Sequence, residues 1–532
     1  MDFSSITFKA GLFFMAGAAV TSCSHDKTEN TARPNILLIV ADDMGYSDLG
    51  CYGGEIKTPN LDRLASQGIR FTQFYNAARC CPSRASILTG LYPHQAGMGG
   101  MVDTPDGNTP GPYQGYLNDQ CVTIAEVLKQ AGYYTAASGK WHVGEERPHW
   151  PTDRGFDNYY GLISGASNYF DFTRHKNKTV KRYFAIDSTS IIPPKEGFYM
   201  TDAITDHAIG YLKKAAEREQ PFFLYLAYTA PHWPLHALQE DIDKYRGKYL
   251  KGWDALRKER LDRMVKLGII DKDLALSLRD PEVQPWDSLT NLQKDQMDQL
   301  MAIYAAQIDR MDQGIGKVLE QLDTMGASQH TLVLFLSDNG ACAEGGIWGG
   351  DFWGNFWDGT VSPGSGDSYH TIGRSWANLS NTPFRLFKHW VHEGGISTPF
   401  IARWPERINK GAVTNQPGHI IDLMATCCDI TGASYPSTYK GNRITATPGK
   451  SLLPIFRGAV RPQEPYYWEH FGNRAIREGK WKVVAEENAP WELYDMKKDR
   501  TEQQNLIAAE PDTARVLIEQ YKEWAHQVGV KE

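Results

Sequence analysis

Unbroken apolar runs alternate along this chain with amphipathic stretches of helical period, and that alternation predicts an α/β architecture. The runs 36–41, 222–227 and 332–336 are apolar at every position and rich in β-branched or aromatic residues, as expected of parallel strands buried on both faces. Residues 60–67, 122–130, 205–217 and 291–325 have the spacing of helices, the last with Met301, Tyr304, Ile308, Met311, Ile315 and Val318 on one face. Residues 69–75, 133–137 and 399–404 read as further strands. Residues 383–392 read as a helix broken at Glu393-Gly394-Gly395, and 419–431 as another helix. Residues 237–280 are charge-rich and helical, whereas 345–375 are rich in Gly, Trp and Asp without any period and read as a long loop. After Arg457 the texture changes to short antiparallel strands at 466–470, 473–477 and 481–485 and a last helix at 514–528. The pattern therefore predicts a large mixed, mostly parallel sheet flanked by helices over 34–457, followed by a smaller C-terminal α+β domain over 458–532.

Composition changes this picture at the ends. Lys9, an apolar run over 10–20 and then Thr21-Ser22-Cys23 have the proportions of a signal peptide, too short to span a bilayer. Val20-Thr21-Ser22-Cys23 looks like a bacterial lipobox, which would make 1–22 a removed leader, Cys23 the lipidated first residue and 23–33 a tether. The expected location is the periplasm or outer membrane of a Gram-negative bacterium, with membrane contact only through that lipid. A net charge of -7 over 532 residues leaves no basic footprint for nucleic acid. The 8 cysteines include the adjacent pairs Cys80-Cys81 and Cys427-Cys428 and no Cys-x-x-Cys, against a disulfide framework and against zinc. Aromatic residues make up 12%. Core packing accounts for most of them, while Trp348, Phe352, Trp353, Phe356 and Trp357 of the long loop are candidates for stacking on a ring.

The chemistry gathers at strand ends. Two core strands stop at oxygen donors, one at Asp42-Asp43 and the other at Asp338-Asn339, and adjacent carboxylates without a soft donor suit a hard cation, calcium or magnesium. Cys80-Cys81-Pro82-Ser83-Arg84 opens a short helix that Gly90 closes, which puts Cys80 at an anion-favouring helix N-terminus with Arg84 one turn on. Lys140, His142, His232 and Lys388 add cationic or protonatable groups, a set suited to an oxyanion whose charge shifts during reaction.

Cys80-x-Pro82-Ser83-Arg84 with Leu88-Thr89-Gly90 is similar to the signature of the type I sulfatases, in the alkaline phosphatase superfamily. Asp42-Asp43-Met44-Gly45, Gly139-Lys140-Trp141-His142, Ala230-Pro231-His232, Ser337-Asp338-Asn339-Gly340 and Lys388 with Glu393-Gly394-Gly395 resemble family blocks in family order, and Trp376 to Pro383 resembles the arylsulfatase-like branch. The resemblance implies an alkaline phosphatase-like sheet and a sulfuric ester hydrolase. It also implies that Cys80, not Cys81, is oxidised to formylglycine by a maturation enzyme, with calcium held by Asp42, Asp43, Asp338, Asn339 and the modified residue 80. Arg84, Lys140, His142, His232 and Lys388 are its expected catalytic residues. The expected substrate is a sulfated carbohydrate, with galactose or hexosamine units as candidates. The alternatives are a phosphodiester or phosphonate monoester hydrolase of the same superfamily and a non-catalytic glycan-binding lipoprotein. His392 stands where many relatives carry an aromatic, which bears on the leaving-group pocket rather than on the reaction.

Overall fold

A computed structural model describes residues 1–2, 33–102, 110–174, 181–350 and 361–531. The leader, the tether, Cys23, Phe352, Trp353, Phe356 and Trp357 lie outside the described residues. Pro34–Glu532 forms one compact unit. Among the described residues no helix is long and apolar enough to cross a membrane.

Ten strands form the main sheet, in the order Ala412–Thr414, Ile69–Phe71, Phe400–Arg403, Thr331–Ser337, Asn35–Ala41, Phe222–Ala227, Tyr134–Gly139, Asn158–Leu162, Phe184–Ile186 and Thr189–Ser190. The four strands from Thr331–Ser337 to Tyr134–Gly139 run parallel. Strand Phe400–Arg403 and the two strands at the far edge pair antiparallel. Because side chains of a strand alternate faces, the continuous apolar runs split cleanly into two cores. Leu37, Ile39, Leu224, Leu226, Val333 and Phe335 belong to one. Ile36, Leu38, Phe223, Tyr225, Leu332 and Leu334 belong to the other. Helix Asn291–Thr324 covers the first face through Met301, Tyr304, Ile308 and Met311. Helix Cys80–Thr89 covers the second through Ile87 and Leu88.

The elements read from the pattern are present, with four differences. Residues 383–392 form no helix: Leu386 and His389 have φ of 63° and 93°, a left-handed conformation that ends any right-handed helix, and the single helical turn is Glu393–Ile396. Helix Gly373–Ser380 begins inside the stretch expected to be loop, and Trp348 packs on the core there. The helix expected from His419 begins at Asp422, because Gly418–His419 pairs as a short strand with Phe74–Tyr75. The C-terminal sheet has a fourth strand, Glu492–Asp495, beside Tyr466–His470, Asn473–Glu478 and Trp481–Ala485.

That second sheet also sorts its faces. Tyr466, Trp468, Ala475 and Val484 pack with Tyr75, Val391 and Ile396 of the larger body, while Ile476, Val483 and Leu493 pack under helix Pro511–Val528. A buried charge interrupts that apolar face: Lys482 is fully buried and reaches Glu393 Oε1 at 3.2 Å and Glu502 Oε1 at 2.8 Å. Arg500 holds the other Glu393 oxygen at 3.1 Å, and Glu502 Oε2 accepts from the Glu393 backbone N–H at 3.0 Å. Burial alone would raise the Glu393 carboxyl, but Lys482, Arg500 and Arg477 overcome it and hold the group down to about 2. Removing one partner of a buried pair strands the other, so Lys482→Ala should cost about 3–5 kcal/mol in urea unfolding. For the unaltered protein, Glu393 is more acidic folded than its ordinary value of 4.5, so its contribution is full above that pH and is lost between about 4.5 and about 2. Thermal unfolding followed by circular dichroism over that window should show the loss, and a smaller one in Glu393→Gln, measured against its own neutral-pH value.

Candidate active site

Register builds the site. Ala41 lies opposite Ser337 and Val40 opposite Ala227, so adjacent parallel strands end level and deliver Asp42-Asp43 beside Asp338-Asn339. Ligands of open α/β sheets collect at this carboxyl edge. Asp43 turns sharply, with φ 65°, its N–H 3.3 Å from Asp338 Oδ1, and Asn339 Nδ2 donates to Asp43 Oδ1 at 2.6 Å. The neighbouring strand, Phe222–Ala227, leads into the loop that brings His232, and the strand beyond it, Tyr134–Gly139, brings Lys140.

The six sequence-identified charged groups come together in this dry space. Lys140 Nζ donates to Asp42 Oδ2 at 2.7 Å. Arg84 places Nε and Nη2 on Asp338 Oδ2 at 2.9 and 2.8 Å, with Nη1 on the Lys140 carbonyl at 3.0 Å. Lys388 Nζ donates to Asp43 Oδ2 at 3.0 Å and stands 3.4 Å from His232 Nε2. His232 Nδ1 donates to the Trp233 carbonyl at 2.6 Å, which leaves Nε2 as the acceptor that faces Lys388.

Burial pushes the Asp42 carboxyl well above the ordinary carboxylate range against the pull of Lys140, and it raises Asp338 against the pull of Arg84. Burial lowers the ammonium of Lys388, yet Asp43, Cys342, Glu344 and Cys80 together outweigh it and hold Lys388 well above its usual range. Burial drives His142 down to about 4, and burial together with the Lys388 and Lys140 charges drives His232 well below its ordinary value, so both imidazoles are neutral bases at pH 7. Two buried oxygens, Asp42 Oδ1 and Asn339 Oδ1, have no hydrogen-bond partner. Orphaned oxygens among raised carboxyls, with His232 within 4.8 Å of Asp42 and Asp43, form an arrangement that a hard divalent cation fits.

Cys80 stands at the first turn of its helix, after Arg79, which makes no side-chain cap. Cys80, Cys81 and His142 offer ligand atoms within 4.8 Å of one another. The two thiols differ: contact with Cys81, then Lys140 and His142, pulls Cys80 well below the usual thiol range against burial, whereas burial raises Cys81.

Sequence reasoning missed the rim. Arg79 Nη2 meets Glu344 Oε1 at 2.9 Å, Trp233 Nε1 donates to Glu344 Oε2 at 2.7 Å, and Arg79 Nη1 lies 3.3 Å from His389 Nδ1. Each of these residues except Glu344 is a direct sequence neighbour of a site residue that had been identified, and that adjacency was the available signal. Glu344, at the head of an aperiodic stretch, carried none.

Comparison with known proteins returned consistent matches. The family model described as Sulfatase covers residues 34–433, and one described as N-sulphoglucosamine sulphohydrolase, C-terminal, covers 384–527. An uncharacterized sulfatase of Schizosaccharomyces pombe is 35% identical over 95% of this chain and 96% of its own length. An arylsulfatase of Klebsiella aerogenes is 36% identical over 80% of this chain and 92% of its own. Among solved structures, Ps i-CgsB in complex with k-i-k-neocarrahexaose is similar, with TM-score 0.68, 27% identity and 93% of both chains covered.

Gly165 supplies a test of the geometry. A Cβ there would fall 2.4 Å from the His142 ring, so Gly165→Ala must displace the imidazole. The expected outcome is a folded protein by circular dichroism whose turnover drops on the order of 100-fold, the usual result of misplacing a reacting group by about 1 Å.

Proposed function

The chain belongs to the sulfatase family and is a sulfuric ester hydrolase; from that premise we propose that it removes sulfate from sulfated glycans, with Cys80 as the precursor of a formylglycine nucleophile and calcium as the metal. The observation that carries this reading is the position of Cys80. It opens a buried helix beside Lys140 and His142, while two unpartnered buried oxygens face the same edge.

Asp42, Asp43, Asp338 and Asn339 would hold the cation with residue 80, and the cation would supply Lewis-acid charge to the ester and to the nucleophile. A hydrated formylglycine would supply two hydroxyls on one carbon, one to attack sulfur and one whose loss of a proton lets sulfate depart and the aldehyde return. Arg84, locked on Asp338, fixes the direction of approach. His142, neutral and close to position 80, accepts the proton of the second hydroxyl. Lys388 carries the proton next to His232 Nε2, so this pair serves the leaving alcohol, and Lys140 and Lys388 offset charge on the sulfuryl oxygens.

A glycan substrate agrees with the neocarrahexaose bound to Ps i-CgsB, and galactose or hexosamine units remain the candidates. The leader and lipobox pattern adds an exported lipoprotein anchored at Cys23. A Cys23→Ala change should move the protein from the membrane fraction to the soluble exported fraction.

Steady-state rates on 4-nitrophenyl sulfate and the matched phosphate diester decide between this reading and a phosphodiesterase; a preference for the phosphate ester would sink it. Cys80→Ala should lower sulfate release by at least about 1,000-fold, whereas unchanged turnover would remove the covalent mechanism. Calcium should raise the melting temperature of chelator-treated protein, and Asp42→Asn should abolish that rise.

A further inference from the structure

A large cleft lies outside the site just described. It runs between the catalytic body and the C-terminal sheet and helix, encloses about 1020 Å³, and its walls include Tyr113, Glu469, Phe471, Arg474, Trp491 and Tyr521. Sites that enclose drug-sized ligands occupy roughly 300–1,000 Å³.

Its near end touches the rim of the sulfate site. Phe471 sits on the hairpin turn after strand Tyr466–His470 with φ 47° and is 38% exposed, an uncommon conformation and exposure for a large aromatic residue. Its ring lies 5.7 Å from the ring of His389, which follows Lys388 and faces Arg79. The far wall is fixed. Arg474 stacks over Trp491 at 4.8 Å while its guanidinium donates to the carbonyls of Gly472 at 3.1 Å and Ala489 at 3.0 Å, and Tyr521 packs edge-on to Trp491 at 5.2 Å. The acid of the floor, Glu469, is committed to His94 at 2.7 Å and to the Tyr113 hydroxyl at 3.1 Å. Lys531 and Lys522, the latter 2.9 Å from Glu519, also line the cleft, as does Glu487.

We propose that this cleft binds the sugar units adjoining the one that carries the scissile sulfate, so that the substrate is a sulfated oligosaccharide rather than a free sulfated monosaccharide. Rigid aromatic faces suit the apolar faces of pyranose rings, and Arg474, Lys522 and Lys531 suit sulfate groups on neighbouring units. The inference rests on the glycan reading above and adds where the chain lies.

The test compares kcat/KM for a sulfated tetrasaccharide, the corresponding sulfated monosaccharide and 4-nitrophenyl sulfate. Variants are Trp491→Ala and Phe471→Asn, the latter keeping a residue that tolerates the left-handed turn, each checked for folding by circular dichroism. The wild type should prefer the tetrasaccharide over the monosaccharide. Each variant should cut that preference about tenfold, mainly through KM, the scale of one lost aromatic contact. Turnover of both sugars with the same preference in wild type and both variants would overturn the inference and leave the glycan reading intact. Turnover of the nitrophenyl ester alone would overturn both, and no sulfate release from any of the three would overturn the proposed reaction itself.

Discussion

Three carboxylates and three cationic side chains share one buried space at the carboxyl edge of the sheet. None could be there alone, because an isolated ion in a dry interior costs several kcal/mol, and each of Asp42, Asp43 and Asp338 is matched by Lys140, Lys388 and Arg84. The balance holds only while the parallel strands end level. A one-residue slip would turn Asp42 and Asp338 to opposite faces and strand their partners in the apolar layers. The strand register is therefore a condition of the chemistry as much as of the fold.

The same balance accounts for a net charge of zero among the fixed groups. A divalent cation added to it would be matched by a monoanionic ester and one ionised oxygen on the nucleophile. With both in place, the pocket would favour the charge distribution of the reacting state over that of the empty site, the differential that catalysis requires.

Most of this was legible in the residues. Continuous apolar runs revealed the central strands, and their abrupt ends in Asp42-Asp43 and Asp338-Asn339 revealed the acid pairs, because burial on both faces leaves a strand no other place for polar side chains. The segment around Lys388 has a helix-like sequence but forms no helix. Its composition permits one, but the left-handed backbone at Leu386 and His389, together with the contacts of Glu393 in the C-terminal sheet, overrides local propensity. The fourth C-terminal strand, Glu492–Asp495, is too short and too polar at its ends to announce itself. The rim of Arg79, Trp233, Glu344 and His389 is a purely tertiary object, gathered from four separate loops and helix ends.

Cys80 is 2% exposed, closed in under the sheet and beside its neighbour Cys81. A macromolecule that alters its thiol needs that side chain in reach of its own active centre, and the finished molecule offers no such reach. Were the thiol oxidised as proposed, the alteration would have to precede closure of the second core over the helix. The fraction of active molecules would then be decided by a race between folding and modification, and stability of the final fold would preserve whichever result came first.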